Sequence, residues 1–341
     1  MEKIKFGIVG LNFGGWFARG LRQPPACDYV DFVAACDIDR EKADRIAAKH
    51  GVKAYYEMDA LLADPQIQAV GLFTNPNGRA ELVRKIIRAG KDVMTTKPFE
   101  LDPDAAMDVL LEAKRLARVV HLNSPPPLLD GELLQVRRWE EKYDLGRPIA
   151  CRREVWARKR EKPDGTWLDD PARCPAAPIT RVGIYLINDL VRLLGPAEKV
   201  HVMHSRFFTE RPTPDNAQLS ILYKNGAIAN VFASFAVGDG QDFQNAMTLN
   251  YERGTIYYNV GCMSDLPPAN MSIIALGAGG EAVGERTRVT RSGHGYQWEA
   301  FHRAVSGERL EGEAAPEQIV EGVRILAAVA RSDRSGNPET V

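Results

Sequence analysis

The segment FGIVGLNFGG, residues 6–15, decides the fold of this 341-residue chain because it joins an apolar run to a glycine-rich turn. Gly10 and Gly15 occupy the outer positions of a GxGxxG pattern, and Asn12 stands at the middle position. A strand that ends in such a turn and continues as a helix points backbone N–H groups at a pyrophosphate. Asparagine adopts unusual backbone angles more readily than most residues, so the turn tolerates Asn12. The predicted dinucleotide-binding loop consists of Gly10, Asn12, Phe13, Gly14 and Gly15, and the helix is expected to begin at Trp16.

An acidic residue follows at the end of the next apolar segment. Asp37 closes VDFVAACD, 22 residues after Gly15. A carboxylate at this place accepts hydrogen bonds from the ribose hydroxyls of the adenosine. We therefore predict NAD as the cofactor, because the charge of Asp37 repels the 2′-phosphate of NADP. Arg40 lies three residues further on and offsets part of this repulsion, which leaves NADP as an alternative.

Short apolar segments alternate with helical segments over the first 123 residues. Asp39 and Gly51 are helix-end signals around one helical segment, and Asp102 with Pro103 begins another. Alternation of this kind predicts a parallel sheet covered by helices on both faces. Residues 1–123 are therefore predicted to form an α/β Rossmann domain. Its expected strands cover residues 3–10, 30–37, 53–56, 69–74, 92–96 and 119–123.

The pattern changes after Asn123, where Ser124 and three prolines at 125–127 break the chain. Asn225-Gly226 separates two apolar segments and is the strongest short hairpin signal, which Arg253-Gly254 repeats more weakly. Residues 124–341 are predicted to form an α+β domain with a large, mostly antiparallel open sheet. A strand is expected at residues 149–159, and helices are expected at 131–144, 183–195, 297–305 and 316–331.

The composition excludes several classes of protein. A formal net charge of −1 and a pI near 6.6 give no basic excess, so we expect neither a nucleic-acid partner nor an anionic membrane surface. No apolar run approaches the roughly 20 residues that span a bilayer. The N-terminal sequence MEKIKFGIVG has no apolar signal stretch, and we therefore expect a cytoplasmic protein.

The cysteines and histidines predict no metal site. His201 and His204 lie three apart in a strand-like stretch, so their side chains point to opposite faces. The cysteines never form a CxxC pair, and we expect them to be small buried hydrophobic residues. They are Cys27, Cys36, Cys151, Cys174 and Cys262.

Three stretches resemble the Gfo/Idh/MocA oxidoreductases, a family of NAD(P)-dependent sugar and cyclitol dehydrogenases and reductases. Residues 73–102, FTNPNGRAELVRKIIRAGKDVMTTKPFELD, resemble the family's strand–TPN–helix–aGkhV–EKP segment. Residues 182–195, VGIYLINDLVRLLG, resemble its DxGxH or DxGxY helix. The tail from FHRAVSGERLEG to ARSDRSGNPETV resembles its final helices and closing turn. The resemblance covers nearly the whole chain.

This resemblance implies two catalytic residues. The family's lysine beside the nicotinamide corresponds to Lys97, and Thr96 replaces the glutamate that usually precedes it. Tyr185 stands at the position of the family's histidine. Tyrosine serves there as the proton-transfer residue in the branch that resembles glucose-fructose oxidoreductase and dihydrodiol dehydrogenase. A tyrosine with an ordinary pKa of about 10 is a poor base at neutral pH, so we expect the Lys97 ammonium to favour its phenolate form.

Further site residues follow from the same resemblance. Arg181 stands where the family commonly has aspartate, and its charge points to an acidic or highly hydroxylated substrate. The faces of Trp156 and Trp167 suit the C–H faces of a sugar. The cofactor candidates in the FTNPN and TKP segments and after the sixth strand are Thr74, Asn75, Pro76, Asn77, Thr96, Lys97, Pro98 and Asn123. The substrate candidates are Lys97, Asn123, Trp156, Arg158, Trp167, Arg181, Tyr185 and Asn188.

The altered motifs leave more than one function open. The first interpretation is an NAD(P)-dependent oxidoreductase that acts on a sugar, a cyclitol or a related polyol. The second is a non-catalytic dinucleotide-binding regulatory or sensor protein of the same fold. A minor third is a glycosidase that uses NAD transiently. Retention of both Lys97 and Tyr185 favours the enzyme. The resemblance also implies a homodimer or homotetramer.

Overall fold

A computed structural model describes residues 2–240, 243–260, 270–289 and 295–341. The contacts within the chain divide it into two units. The first unit comprises Met1–Leu128 and His294–Glu317, and the second comprises Leu129–Gly293 and Gln318–Val341. Cys262 lies outside the described residues, whereas the other four cysteines are free thiols, three of them buried.

The first unit contains a six-stranded parallel sheet in the order β3-β2-β1-β4-β5-β6. Its strand order reverses between β1 and β4, which places the carboxyl ends of these strands around the switch point where doubly wound sheets bind dinucleotides. The strands are β1 (Ile4–Val9), β2 (Val30–Cys36), β3 (Lys53–Tyr55), β4 (Ala69–Leu72), β5 (Asp92–Thr95) and β6 (Val120–Leu122). All six predicted strands are confirmed.

Helices connect consecutive strands of this sheet. The predicted helix-end signals are confirmed, because Asp39 accepts the N–H of Lys42 and Asp102 accepts the N–H of Asp104 at the starts of two helices. Gly51 ends the first of these helices with φ of 63°. The helices are α1 (Leu11–Phe17), α2 (Ala26–Tyr29), α3 (Arg40–His50), α4 (Met58–Leu62), α5 (Arg79–Arg88) and α6 (Pro103–Arg115).

The second unit contains a nine-stranded sheet in the order β14-β13-β12-β11-β7-β10-β9-β8-β15. Among the strand pairs of the described residues, only β7–β10 is parallel in this sheet, so the predicted mostly antiparallel sheet is confirmed. The predicted hairpins at Asn225-Gly226 and Arg253-Gly254 join β9 to β10 and β11 to β12. The strands are β7 (Pro148–Trp156), β8 (Ala197–Ser205), β9 (Asn216–Tyr223), β10 (Ile228–Ser234), β11 (Gln244–Tyr251), β12 (Gly254–Tyr258), β13 (Met271–Leu276), β14 (Ala282–Thr287) and β15 (Glu339–Thr340).

One face of this sheet belongs to the core of the second unit. Along β9 the residues alternate between buried apolar positions, such as Leu219 and Ile221, and half-buried polar positions, such as Ser220. Period-two alternation is what a strand with one covered face requires. The core also includes side chains from α7 (Gly131–Lys142) and α8 (Ile184–Leu194).

A buried ionic cluster joins three elements of the second unit. Arg153 of β7 contacts Asp189 of α8 at 2.5 Å and Glu132 of α7 at 3.6 Å, and all three side chains are almost completely buried. Burial raises the pKa of Asp189 to about 8. The positive charge of Arg153 opposes this rise, and the negative charge of Glu132 adds to it. The cluster therefore combines one guanidinium with two carboxyl groups in a place that water does not reach.

The last two helices belong to different units. Helix α9 (Trp298–Val305) lies in the first unit. There the centroid of the Phe6 ring lies 6.0 Å from that of Trp298 and 6.3 Å from that of Phe301, and both contacts are edge-to-face. Most of α10 (Pro316–Ser335) lies in the second unit. The division thus differs from the expected boundary at residue 123, because the chain returns to the first core to cover an apolar face of β1. Within the described residues, no helix is both long and apolar enough to cross a membrane.

Candidate active site

The glycine-rich loop begins with a sharp turn at Gly10. This residue has φ of 88°, and a Cβ atom added there would lie 2.9 Å from the carbonyl carbon and oxygen of Phe73. Only glycine fits both the backbone angle and the approach to the end of β4. Gly10 alone forms the turn, so α1 already begins at Leu11. The expectation of a helix that begins at Trp16 was wrong, because the sequence pattern counted the two later glycines as part of the turn.

Gly14 and Gly15 lie inside α1 and allow it to pack closely. A Cβ on Gly14 would lie 2.7 Å from the side chain of Ile8 in β1, and one on Gly15 would lie 3.3 Å from Ile46 in α3. Asn12 and Phe13 are exposed in the first turn of the helix. The three glycines therefore bring the amino end of α1 against the sheet, and the middle position needs no glycine.

Asp37 joins the end of β2 to the start of α1. Its carboxylate accepts the N–H of Leu11 at 2.7 Å and the N–H of Asp39 at 3.0 Å, and Lys42 lies 3.7 Å away. A carboxylate has about four lone-pair positions, so these contacts leave acceptor capacity for ribose hydroxyls. The exposed guanidinium of Arg40 stacks over the Tyr56 ring at 4.4 Å.

An exposed apolar residue that was not predicted lies beside this acid. Ile38 directly follows Asp37 and is 89% exposed, which is unusual for isoleucine. An apolar side chain next to the acid that is predicted to bind ribose would suit the adenine ring of a dinucleotide. The signal in the sequence for this residue is an isoleucine directly after the end of a strand, where the chain is expected to turn towards the solvent.

Two further loops follow β4 and β5, and the buried Arg79 connects them. Its guanidinium donates to the carbonyl oxygens of Thr74, Thr96 at 2.6 Å and Pro98. Burial lowers the pKa of Arg79 to about 10, which leaves the group positively charged at neutral pH. Arg79 was not among the predicted residues, yet it fixes the backbone of both predicted segments.

The buried Glu100 complements Arg79 at the start of α5. Its carboxylate accepts the N–H groups of Gly78 at 3.2 Å, Ala80 at 2.8 Å and Leu101 at 2.7 Å. An acid at a helix amino end satisfies N–H groups that have no partner within the helix. Glu100 thereby connects the loop after β5 to the helix that follows β4, and it too was missed.

The loop after β4 presents polar groups for a ligand. Asn75 and Asn77 are exposed and Pro76 is buried. The Thr74 hydroxyl is buried and has no hydrogen-bond partner within the described residues. A buried hydroxyl without a partner is costly and fits a site that is completed by a bound molecule. Together with the close packing around Gly10, this fits a dinucleotide.

Lys97 lies at the carboxyl end of β5, and Asn123 follows β6. The side-chain oxygen of Asn123 accepts the backbone N–H of Lys97 at 3.1 Å. Lys97 is partly exposed, whereas Asn123 is buried. Both residues were predicted to act at the cofactor, and within the first unit the structure brings them together.

Tyr185 lies in the first turn of α8, directly after a π-helical turn over Ile179–Gly183. Such turns are frequent at functional sites because they redirect side chains within a helix. Arg181 belongs to this turn, and its guanidinium contacts Glu161 at 2.5 and 2.8 Å and the Phe235 ring at 4.5 Å. Hydrogen bonding from Arg181 lowers the pKa of Glu161.

The other substrate candidates of the second unit lie in different surroundings. Trp156 at the end of β7 donates to Asp239 at 2.7 Å, and the exposed Arg158 passes close to Gly238. Trp167 lies in a short 3-10 turn and is partly exposed. Asn188 is buried with its side-chain oxygen directed at Gly322 of α10. This packing gives no support to a substrate role for Asn188.

No group of His, Cys, Asp and Glu side chains suited to a metal ion occurs within the described part of the chain. His201 contacts the carbonyl oxygen of Gly336, and His204 contacts Asp333 at 2.7 Å.

Comparisons with known proteins found matches to both parts of the chain. The family model described as "Oxidoreductase family, NAD-binding Rossmann fold" matches residues 4–124, and the GFO/IDH/MocA C-terminal domain matches residues 133–257. The chain is 23% identical to 1,5-anhydro-D-fructose reductase of Ensifer adhaerens over 340 residues, which cover 91% of this chain and 98% of that protein.

Other relatives match part of the chain. Myo-inositol 2-dehydrogenase of Thermotoga maritima is 26% identical over 151 residues, which cover 44% of each protein. Several curated relatives are matched over only 40–44% of their own length. The structure of levoglucosan dehydrogenase in complex with NADH superimposes with a TM-score of 0.75 at 15% identity, covering 100% of this chain and 99% of that one. This last likeness shows the shared fold.

Proposed function

The chain belongs to the GFO/IDH/MocA family of oxidoreductases and has an NAD-binding Rossmann domain, and from this premise we propose that it transfers a hydride between NAD and a sugar, cyclitol or related polyol. The reacting group of the substrate is a carbinol in one direction and a carbonyl in the other. NADP is the alternative cofactor, and the carboxylate of Asp37 favours NAD.

The observation that carries this proposal is the support around Lys97. Asn123 accepts its backbone N–H, while Arg79 binds the carbonyl oxygens of the residues before and after it, Thr96 and Pro98. A lysine with such a fixed backbone, at the carboxyl end of a parallel sheet, suits a reaction in which charge develops on an oxygen. A merely solvated lysine would need none of these contacts.

The protein's own groups have separate roles in the proposed reaction. Bound NAD supplies the carbon that accepts or releases the hydride. Gly10, Leu11 and Asp37 would hold the dinucleotide, and Ile38 would offer an apolar surface to its adenine ring. The Lys97 ammonium stabilises negative charge on the substrate oxygen, and the Tyr185 hydroxyl takes up or returns the proton of that oxygen.

The relatives support the substrate class. Myo-inositol 2-dehydrogenase, 1,5-anhydro-D-fructose reductase and levoglucosan dehydrogenase are all named for ring compounds that carry several hydroxyl or ether oxygens. A cytoplasmic location and a homodimer or homotetramer belong to the same proposal. Sedimentation of the purified protein tests the oligomer.

Turnover with a substrate panel tests the function. Purified protein is incubated with NAD or NADP and with sugars, cyclitols and sugar acids, and reduced nicotinamide is followed by absorbance. Lys97→Met and Tyr185→Phe are each expected to lower kcat by at least about 100-fold, the size of a typical general acid–base contribution. Lys114→Met and Tyr257→Phe remove a lysine and a tyrosine outside the proposed site and are expected to keep full activity.

The outcome separates the enzyme from a sensor. Cofactor binding without turnover of any panel member would favour the regulatory or sensor protein. Equal activity in all four variants would show that Lys97 and Tyr185 are not catalytic.

A further inference from the structure

Arg211, in the loop between β8 and β9, binds three carboxylates of one other loop. Its guanidinium contacts Asp164 at 2.9 Å, Asp169 at 2.5 Å and Glu161 at 3.4 Å. Only 6% of the Arg211 side chain is exposed. The three acids belong to the connection between β7 and α8, and we call residues 161–170 the acidic loop.

The acidic loop depends on polar contacts because its segment has no apolar core of its own. All residues from 158 to 173 lie in the described part of the chain, and none of them is buried. Between the end of β7 at Trp156 and the π-helical turn that begins at Ile179, the only regular element that the structure describes is the 3-10 turn Trp167–Asp169. Such long connections are uncommon in compact domains and are often binding loops or lids.

The loop that carries Arg211 is itself fixed. Asp215 accepts three consecutive backbone N–H groups, those of residues 207–209, at distances between 2.7 and 2.9 Å. The Thr213 hydroxyl donates to the carbonyl oxygen of Leu168 at 2.8 Å, so the two loops are also joined through the backbone of the acidic loop. Arg211 therefore holds the acidic loop from a rigid support.

The acidic loop also lies next to the turn that precedes Tyr185. Glu161 accepts both terminal nitrogens of Arg181, which belongs to the π-helical turn directly before α8. Trp167 stays partly exposed, although Leu168 beside it is held through its carbonyl oxygen. An exposed tryptophan on a fixed loop offers an apolar face to the C–H groups of a ring compound.

A buried guanidinium among carboxylates contributes little net stability, because the cost of desolvation offsets most of the Coulomb attraction. Its directional contacts instead hold a segment in one position. We propose that Arg211 is a positioning residue for substrate binding: by holding the acidic loop it keeps Trp167 facing the substrate beside Tyr185, and it touches neither substrate nor cofactor. The inference rests on the proposed function, because it takes Tyr185 as the residue that exchanges a proton with the substrate.

Steady-state kinetics on the best substrate of the panel test the inference. Arg211→Met should raise KM about 10-fold and change kcat and the Kd for NAD less than 3-fold, because the reacting groups stay in place. Arg211→Lys keeps the charge but lacks the planar fork of arginine, and it should raise KM less than Arg211→Met does. An unchanged KM in Arg211→Met would overturn the inference, as would a loss of kcat and NAD affinity as large as the rise in KM.

A double-mutant cycle shows whether Arg211 acts through Trp167. Trp167→Ala should itself raise KM about 10-fold. Adding Arg211→Met to it should raise KM less than 2-fold further, because the loop then has no tryptophan to position. If the two effects multiply instead, Arg211 acts independently of Trp167 and the inference fails.

Two further variants serve as control and reserve. Lys162 lies 3.6 Å from Glu210 and joins the same two loops, but these side chains are 78% and 61% exposed, so Lys162→Met should leave KM within 2-fold of the wild type. Asp164→Asn weakens the contact with Arg211 from the acidic loop, where 47% of the Asp164 side chain is exposed. It should raise KM about 3-fold and replaces Arg211→Met if that variant does not fold, an unchanged KM again overturning the inference.

Calorimetry on the NAD-loaded protein separates this inference from the proposed function. Binding of a panel member that is weakened about 10-fold in Arg211→Met supports the positioning role even if nothing turns over, a result that would count against the oxidoreductase alone. Turnover by Arg211→Met with the KM of the wild type would keep the oxidoreductase and overturn the positioning role.

Discussion

The side-chain oxygen of Asn123 accepts the backbone N–H of Lys97 at 3.1 Å, so the residue after β6 holds the loop after β5. Asn123→Ala removes this acceptor and leaves a partly buried N–H group without its partner. We expect kcat to fall about 10-fold, because small displacements of a catalytic group are costly, while the Kd for NAD changes less than 3-fold. Steady-state kinetics and NADH fluorescence titration measure the two values, and an unchanged kcat would remove Asn123 from the positioning of Lys97.

The turn at Gly10 makes a second prediction. Gly10→Ala forces an alanine to adopt a positive φ and brings its Cβ within 2.9 Å of the Phe73 backbone. Because α1 would shift away from the sheet, we expect the Kd for NAD to rise at least about 10-fold and the free energy of unfolding to fall by about 1–3 kcal/mol. Gly20→Ala is the matched control, since no atom lies within 4 Å of an added Cβ there. Similar NAD affinity in both variants would contradict the role of Gly10.

His121 gives the protein a stability that depends on pH. Its ring is only 3% exposed, Nε2 has no partner within the described residues, and burial lowers the pKa to about 3 from an ordinary 6.5. The unfolded chain therefore binds a proton between these pH values that the folded chain does not. The free energy of unfolding should fall as the pH drops below 6.5, by at most about 1.4 kcal/mol per pH unit from this group.

The variant His121→Leu isolates this contribution. Leucine needs no hydrogen bond beside Phe301, whose ring lies 5.2 Å from that of His121. The melting temperature of the variant should fall less than that of the wild type between pH 7 and pH 5. Parallel curves for the two proteins would show that His121 is protonated in the folded state.

The buried cluster of Arg153, Asp189 and Glu132 is expected to have the opposite effect on how the free energy of unfolding depends on pH. Because burial raises the pKa of Asp189 to about 8, the folded chain holds a proton between about pH 4 and pH 8 that the unfolded chain releases. The free energy of unfolding therefore falls as the pH rises through this interval. Asp189→Asn should flatten this dependence in urea unfolding, and an unchanged slope would locate the proton elsewhere.

Removal of the cation tests the same cluster. Arg153→Met leaves two buried carboxyl groups without their guanidinium, and we expect a loss of about 3–5 kcal/mol in the free energy of unfolding. The triple variant Arg153→Met, Asp189→Leu and Glu132→Leu replaces all three ionisable groups by apolar groups and should recover most of this loss. If Arg153→Met alone were as stable as the wild type, the cluster would not be needed for stability.

Both sheets could be predicted from the sequence because the signals that indicate their strands and hairpins are local. Most strands of the first sheet lie in short, mainly apolar runs, and each confirmed hairpin has a glycine at its turn. The start of α1 could not be read in the same way, since glycine is disfavoured inside helices and is accepted here only because Ile8 and Ile46 pack so closely.

The missed residues of the candidate site depend on contacts between segments distant in sequence. Arg79 is 17 residues from Thr96, and Glu100 is 20 residues from Ala80. No periodicity or spacing reveals that the loops after β4 and β5 meet at one guanidinium. Likewise, the charge of Arg181 was evident from the sequence, but its pairing with Glu161 appears only in the folded chain.

The return of α9 to the first unit has a consequence for synthesis on the ribosome. The chain leaves the first unit at Leu128 and contributes its last segment only at residues 294–317. A nascent chain that has emerged up to residue 128 still lacks Trp298 and Phe301, the aromatic partners of Phe6. The domain that is translated first is therefore among the last to be completed, and until then the ring of Phe6 is a surface that a chaperone can bind.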